Sequence, residues 1–175
     1  VGLALDTVER ELGRPIGEVF VEFDPTPIAA ASIGQVHRAL WRDPATGIER
    51  AVAVKVQYPG VGEAIVADLK NADLLGAVLR QGFGGLDPAE MVDEIKLRIA
   101  EEVDYELEAR NQQAFADYYR DHPFIKIPEV VSELSTTHVL TTELADGFGW
   151  AELMRRPQAE RDRAGEVIFR FVFRS

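Results

Sequence analysis

Apolar residues recur along this chain at two different spacings, and the change from one to the other outlines its elements. Leu3, Leu5, Val8 and Leu12 recur at roughly helical spacing and Gly13 supplies a stop, which predicts a short amphipathic helix over residues 3–12. Apolar or β-branched runs at residues 33–41 and 51–57 predict two strands. Arg42-Asp43-Pro44-Ala45-Thr46-Gly47 between them carries turn chemistry, so the pair reads as a β-hairpin. Tyr58-Pro59-Gly60 breaks the second strand, and Ile65, Leu69, Leu75 and Leu79 mark a helix over residues 61–80 that stops at Gly82-Phe83-Gly84-Gly85. The clearest stripe is Val92, Ile95, Ile99, Val103 and Leu107, which predicts one long helix from Pro88 to about Tyr119. Pro123 and Pro128 end it; residues 127–134 and 137–144 read as two further strands bent at Ser135 and closed by Asp146-Gly147. Residues 150–173 read as helical again, with Pro157 near a helix start. Helix, hairpin, two helices, strand pair and helix suit an α+β domain with an antiparallel sheet.

Composition narrows the function classes. The chain of 175 residues is ordinary globular material, 46% hydrophobic and 28% charged. Its formal net charge of −11 has the wrong sign for a phosphate-backbone partner, which argues against nucleic acid. The absence of cysteine excludes disulfides, thiolate metal sites and cysteine nucleophiles. No apolar run reaches the length of a transmembrane helix and no signal peptide precedes residue 15, so a cytoplasmic or membrane-peripheral location is expected. The start on Val1 and the end inside the apolar run at residues 167–173 read as a piece of something longer.

Two segments carry candidate chemistry. In Pro27-Ile28-Ala29-Ala30-Ala31-Ser32-Ile33-Gly34-Gln35-Val36, small residues lead straight into a strand. Such a turn lets a ligand approach the backbone and could offer amide N–H groups and the Ser32 hydroxyl to anionic oxygens, although a tightly packed turn explains the same composition. Val52-Ala53-Val54-Lys55-Val56 sets one lysine in an apolar strand, where it either faces solvent beside Ala51 and Ala53 or takes a carboxylate partner. A valine-alanine-x-lysine strand also matches the protein-kinase pattern that puts a lysine on nucleotide phosphates beside a helix glutamate. On an unbroken helix Glu94, Glu101, Asp104 and Glu108 fall opposite the apolar stripe, while Glu102 lies about 80° from its centre, the acid nearest the core. Asp146-Gly147-Phe148-Gly149 and Gly82-Phe83-Gly84-Gly85 lack the context of metal or dinucleotide motifs, and His37, His122 and His138 read as packing or surface residues.

Three segments together resemble the UbiB/ADCK family of atypical, protein-kinase-like proteins linked to isoprenoid quinone biosynthesis. They are Ala29-Ala30-Ala31-Ser32-Ile33-Gly34-Gln35-Val36-His37, Val54-Lys55-Val56-Gln57-Tyr58-Pro59-Gly60-Val61 and Glu102-Val103-Asp104-Tyr105-Glu106-Leu107-Glu108-Ala109. A fourth, from His122-Pro123-Phe124 through Ile127-Pro128-Glu129-Val130-Val131 to His138-Val139-Leu140-Thr141-Thr142-Glu143-Leu144, looks like the family's strands leading to the hinge.

The resemblance implies a protein-kinase-like N-lobe, with an antiparallel β-sheet, an αC-type helix and extra family helices, over residues 1–149. Residues 150–175 would open a helical C-lobe, cut before its completion. It further implies a nucleotide site of Ala29, Ala30, Ala31, Ser32, Val36, Lys55, Thr142, Glu143, Leu144 and Ala145, with the alanine-rich loop over the phosphates and residues 142–145 as an adenine-contacting hinge. Glu108 is the expected partner of Lys55, against the helical-wheel preference for Glu102. Glu102 and Asp104 match the family's Glu-x-Asp motif, a clamp on a lysine of an upstream Lys-x-Gly-Gln helix that this chain does not contain. ATP is the implied ligand, with Mg2+ held by groups of a catalytic loop and an Asp-Phe-Gly motif that no residues here match. The chain alone is therefore expected to contain no catalytic residues or metal ligands, to bind nucleotide weakly and to catalyse nothing. For the parent the resemblance implies an atypical kinase or ATPase supporting quinone biosynthesis or membrane lipid homeostasis, with membrane lipid or quinone-biosynthesis proteins as partners. The alternative is a pseudokinase-like, nucleotide-sensing interaction module.

Overall fold

The computed structural model describes residues 2–65, 67 and 88–174. Helix α1 (Gly2–Leu12) buries Ala4, Thr7 and Val8. Its buried face is rotated from the expected leucine stripe, since Leu3 is exposed. The Thr7 hydroxyl donates to the Leu3 carbonyl (2.9 Å), which lets a polar residue sit on that face. Gly13 ends the helix at φ +65°, a left-handed conformation suited to glycine. One helical turn, α2 (Ile16–Val19), leads into β1 (Phe20–Phe23), a strand too short for the sequence pattern to announce.

Strands β2 (Ala29–Ala30), β3 (Gly34–Arg42), β4 (Glu49–Gln57) and β5 (Val139–Glu143) complete an antiparallel sheet. Its order is β1-β3-β4-β5, and β2 pairs with β3 beside β1. At the β3–β4 turn Asp43 Oδ1 accepts from the amides of Ala45 (2.8 Å) and Thr46 (3.3 Å), while Gly47 takes φ +71°. These amide hydrogen bonds hold the Asp43 carboxyl below its ordinary range.

Alternation along β4 sends Val52, Val54 and Val56 into the core and leaves Ala51, Ala53 and Lys55 half-buried on the opposite face. Helix α1 covers the valine side: Ala4 and Val8 join Val19, Phe20, Ala39, Trp41, Leu134 and Val139 there. The sheet is thus sealed on one side by its own N-terminal helix, and the face that carries Lys55 is the one left for other groups.

Two expectations are corrected. The long helix is broken into α3 (Pro88–Glu102) and α4 (Tyr105–Tyr118), because Asp104 adopts an extended backbone and caps α4. Residues 127–134 are not a strand. Val130 makes an isolated bridge to Thr142, and a 3-10 turn covers Ser132–Leu134. Pro128 has no N–H for a ladder, and the Ser135 hydroxyl takes over the pairing by donating to the Val131 carbonyl (3.0 Å) and accepting from Thr141 N (3.0 Å). Helices α5 (Trp150–Leu153) and α6 (Gln158–Arg174) flank Pro157. Phe171 of α6 packs on Phe115 and Tyr119, and Ile168, Phe169, Val172 and Phe173 stay exposed. Residues 61–65 and 67 are helical; the rest of the helix expected to residue 80, and the glycine-rich stretch at 82–85, lie outside the described residues.

Candidate functional site

Directly opposed residues of antiparallel strands project to the same side, so register alone assembles the open face. Lys55 lies opposite Val36 on β3 and Leu140 on β5, and Ala53 lies between Arg38 and Thr142. Ala29 of β2 pairs with Val36. Ala29, Val36, Lys55 and Thr142 thereby share one face.

Lys55 meets its carboxylate across α4. Its ammonium donates to both Glu108 oxygens at 2.7 Å, with the side chains 24% and 41% exposed. Exposure of that order makes the pair a weak source of stability and an accessible one. The ring of Tyr105 lies beneath the same ammonium, 4.4 Å from centroid to Nζ. Burial pushes the Tyr105 hydroxyl far above its ordinary range, and the carboxylates of Glu108 and Glu102 add to that shift.

The cap decides which acid reaches the lysine. Asp104 Oδ1 accepts from Leu107 N (3.0 Å), restarting the helix so that Glu108 falls in its first turn. Glu102, favoured by an unbroken helical wheel, instead closes α3 and lines a cavity of about 260 Å³ with Lys55, Glu101, Leu107, Glu108 and Asn111. Asp104→Ala removes the cap and is expected to cost about 1 kcal/mol, whereas Asp104→Asn retains it. Chemical denaturation of both variants checks this; equal stability would show that the cap does not hold the break.

The alanine-rich loop is a tight turn beside β3. Ile28 N donates to the Val36 carbonyl (2.8 Å) and Ala31 N to the Gly34 carbonyl (2.9 Å), so the Ala31 amide is engaged within the turn. Ala29, Ala30 and Ser32 are exposed. Gly34 is small for the sake of the sheet: a Cβ there would meet the Val56 carbonyl oxygen at 2.2 Å. At the other end of the face, Glu143 N donates to the Glu129 carbonyl (2.9 Å) and Leu144 N to the Ala51 carbonyl (3.0 Å), while Ala145 is exposed.

Gln57 is a residue of this region that the motifs quoted without a role. It is buried, and its amide donates to the Val103 carbonyl (2.6 Å), tying β4 to the α3–α4 junction. The signal for it was a polar side chain two positions beyond Lys55, hence on the same face. Elsewhere, Arg156 covers the Phe148 ring (3.8 Å to the centroid) within the Asp146–Gly149 stretch. His37 is fully buried: Nδ1 donates to the Asp24 carbonyl (2.9 Å), and Nε2 accepts from Gln35. His122 Nδ1 accepts from Ile125 N, and His138 pairs with Glu11. Among the described residues no His, Cys, Asp or Glu side chains gather as a metal site, and no helix is long and apolar enough to cross a membrane.

The ABC1 atypical kinase-like domain matches residues 3–175. The mitochondrial atypical kinase coq-8 of Caenorhabditis elegans is 43% identical over 95% of this chain and 22% of its own length. The mitochondrial atypical kinase COQ8B of Rattus norvegicus is 41% identical over 82% of this chain and 26% of its own. The chain therefore spans roughly a quarter of these curated relatives or less. Among solved structures, Rv3197 of Mycobacterium tuberculosis, in complex with erythromycin, superposes with a TM-score of 0.78 at 43% identity, covering 90% of this chain and 39% of that one.

Proposed function

The chain belongs to the ABC1 atypical kinase-like family, and from that membership we propose that it holds ATP on the Lys55 face of its sheet, as the nucleotide-binding lobe of an atypical kinase or ATPase. The observation that carries this reading is the bidentate pairing of Lys55 with Glu108, on a sheet face that α1 leaves uncovered. An ammonium paired with a carboxylate yet still partly exposed can also donate to phosphate oxygens.

The remaining candidates surround that cation in complementary positions. Ala29, Ala30, Ala31 and Ser32 form a turn whose small side chains admit phosphates near the backbone, with Val36 beneath them. Ala53 and Thr142 offer a flat surface for the adenine base, and Thr142, Glu143, Leu144 and Ala145 lead away from it as a hinge. Residues 150–175 would open a helical lobe, a reading that the exposed apolar side chains of α6 support. Mg2+ would neutralise phosphate charge in the complete protein, its ligands belonging to the family's catalytic loop and Asp-Phe-Gly motif, which no residues of this sequence match. No residues of the sequence match the family's catalytic loop, and on this reading the chain by itself catalyses nothing. For the complete protein the family points to support of isoprenoid quinone biosynthesis or membrane lipid homeostasis, with lipid or quinone-biosynthesis proteins as partners.

Calorimetric titration of ATP into the full-length protein, with and without magnesium, tests the reading. Lys55→Ala is expected to weaken binding about tenfold, the loss of charge-assisted hydrogen bonds to phosphate. Equal affinity in the variant, or no binding by the wild type, would overturn it; a Lys55-dependent ATP affinity without turnover would favour the nucleotide-sensing module over the kinase.

A further inference from the structure

We propose that Tyr105 is a positioning residue for Lys55: its buried ring is a fixed floor for the ammonium, and Gln57 holds that floor in place. A lysine ends in a compact charge on a flexible four-carbon stem, so an anchored carboxylate alone leaves it several rotamers. The two supports of Lys55 differ in kind. Glu108 is 41% exposed, and solvent and salt screen its pull. The Tyr105 ring is fully buried and sits 4.4 Å from Nζ, within the range of cation–π attraction.

The ring is what the fold retains at this position. The Tyr105 hydroxyl is buried and has no hydrogen-bond partner among the described residues, so the side chain is not held by its polar end. It is held through its backbone. Tyr105 N donates to the Thr137 carbonyl (3.3 Å), and the Gln57 amide reaches that same carbonyl (3.4 Å) as well as Val103, the residue two before Tyr105 (2.6 Å). Gln57 N in turn donates to the His138 carbonyl (3.1 Å). The strand that carries the cation thus also carries the side chain that locates the ring beneath it.

The proposal rests on the ATP reading in one arm of its test and is independent of it in the other. In the full-length protein, acetylation of Lys55 by an amine-reactive ester is followed by peptide mass spectrometry, and ATP affinity is measured by calorimetry. Tyr105→Leu is expected to speed Lys55 acetylation and weaken ATP binding, each about five- to tenfold, whereas Tyr105→Phe stays within about twofold of wild type in both. With the ring gone, Lys55 depends on the screened carboxylate alone, so acetylation of Tyr105→Leu should also rise with salt while the wild type responds little. Gln57→Met keeps the ring but releases its anchor; it should shift both readouts in the same direction and serves if Tyr105→Leu fails to fold. Wild-type acetylation in Tyr105→Leu or Gln57→Met, or a phenylalanine variant that behaves like leucine, would overturn the proposal. A wild type that binds no ATP would defeat the nucleotide reading and leave the acetylation arm to decide this one.

Discussion

Gly34→Ala is expected to lower the stability of this domain by about 3 kcal/mol, roughly 10 °C in thermal midpoint for a chain of this size. The cause is backbone against backbone: a Cβ at residue 34 would lie 2.2 Å from the Val56 oxygen and 2.9 Å from its carbonyl carbon. Neither atom belongs to a side chain that can swing away. Relief requires β3 and β4 to part at the Gly34–Gln57 pair, and the Ala31–Gly34 turn to move with them. If the Lys55 face holds ATP as proposed, the variant should also lose affinity for it, since Ala29 and Lys55 both pair with Val36, two residues from the displaced pair. Gly17→Ala is the control, because nothing lies within 4 Å of a Cβ there. Thermal melts followed by circular dichroism decide it; a shift of Gly34→Ala no larger than that of Gly17→Ala would refute the steric account.

The same glycine separates two uses of small residues: at residue 34 smallness serves the neighbouring strand, while Ala29, Ala30 and Ser32 before it stay exposed. The hairpin was legible because alternation in β4 is strict, with valines on one face and Ala51, Ala53 and Lys55 on the other. The break between α3 and α4 was not. The apolar stripe runs on through Ile99, Val103 and Leu107 as if one helix continued, and residue 107, where a glutamate would have completed a capping box with Asp104, is leucine. Periodicity alone therefore put Glu102 nearest the core. The pairing of Glu108 with Lys55 came only from the family pattern. Gln57 and Tyr105 stayed without roles because their partners are distant in sequence: the Gln57 amide bonds to carbonyls 46 and 80 positions away. Strand β1 was missed because it is four residues long and its pairing with β3 is irregular between Phe20 and Glu22.

Leu134→Ala is expected to cost about 3 kcal/mol, again roughly 10 °C, with Ser132→Ala and Glu133→Ala within about 0.5 kcal/mol of wild type. The contrast follows from the 3-10 turn that replaces the expected strand. In an extended strand Ser132 and Leu134 would share one face and be buried together. In the turn Leu134 alone enters the core, 1% exposed, beside Val52, Val54 and Val139, and Ser132 and Glu133 face outward. Its carbonyl accepts the buried Thr141 hydroxyl (2.7 Å) and its amide donates to Val131 (3.0 Å), so the backbone cannot slide to fill a void left by the side chain. Thr141 lies on β5 opposite Val54, the neighbour of Lys55, so the corner also braces the strand pair that carries Lys55. Denaturant titration of the three alanine variants gives the pattern directly. A large loss at Ser132 matching that at Leu134 would restore the extended strand, and a small loss at Leu134 would mean the corner is not part of the core.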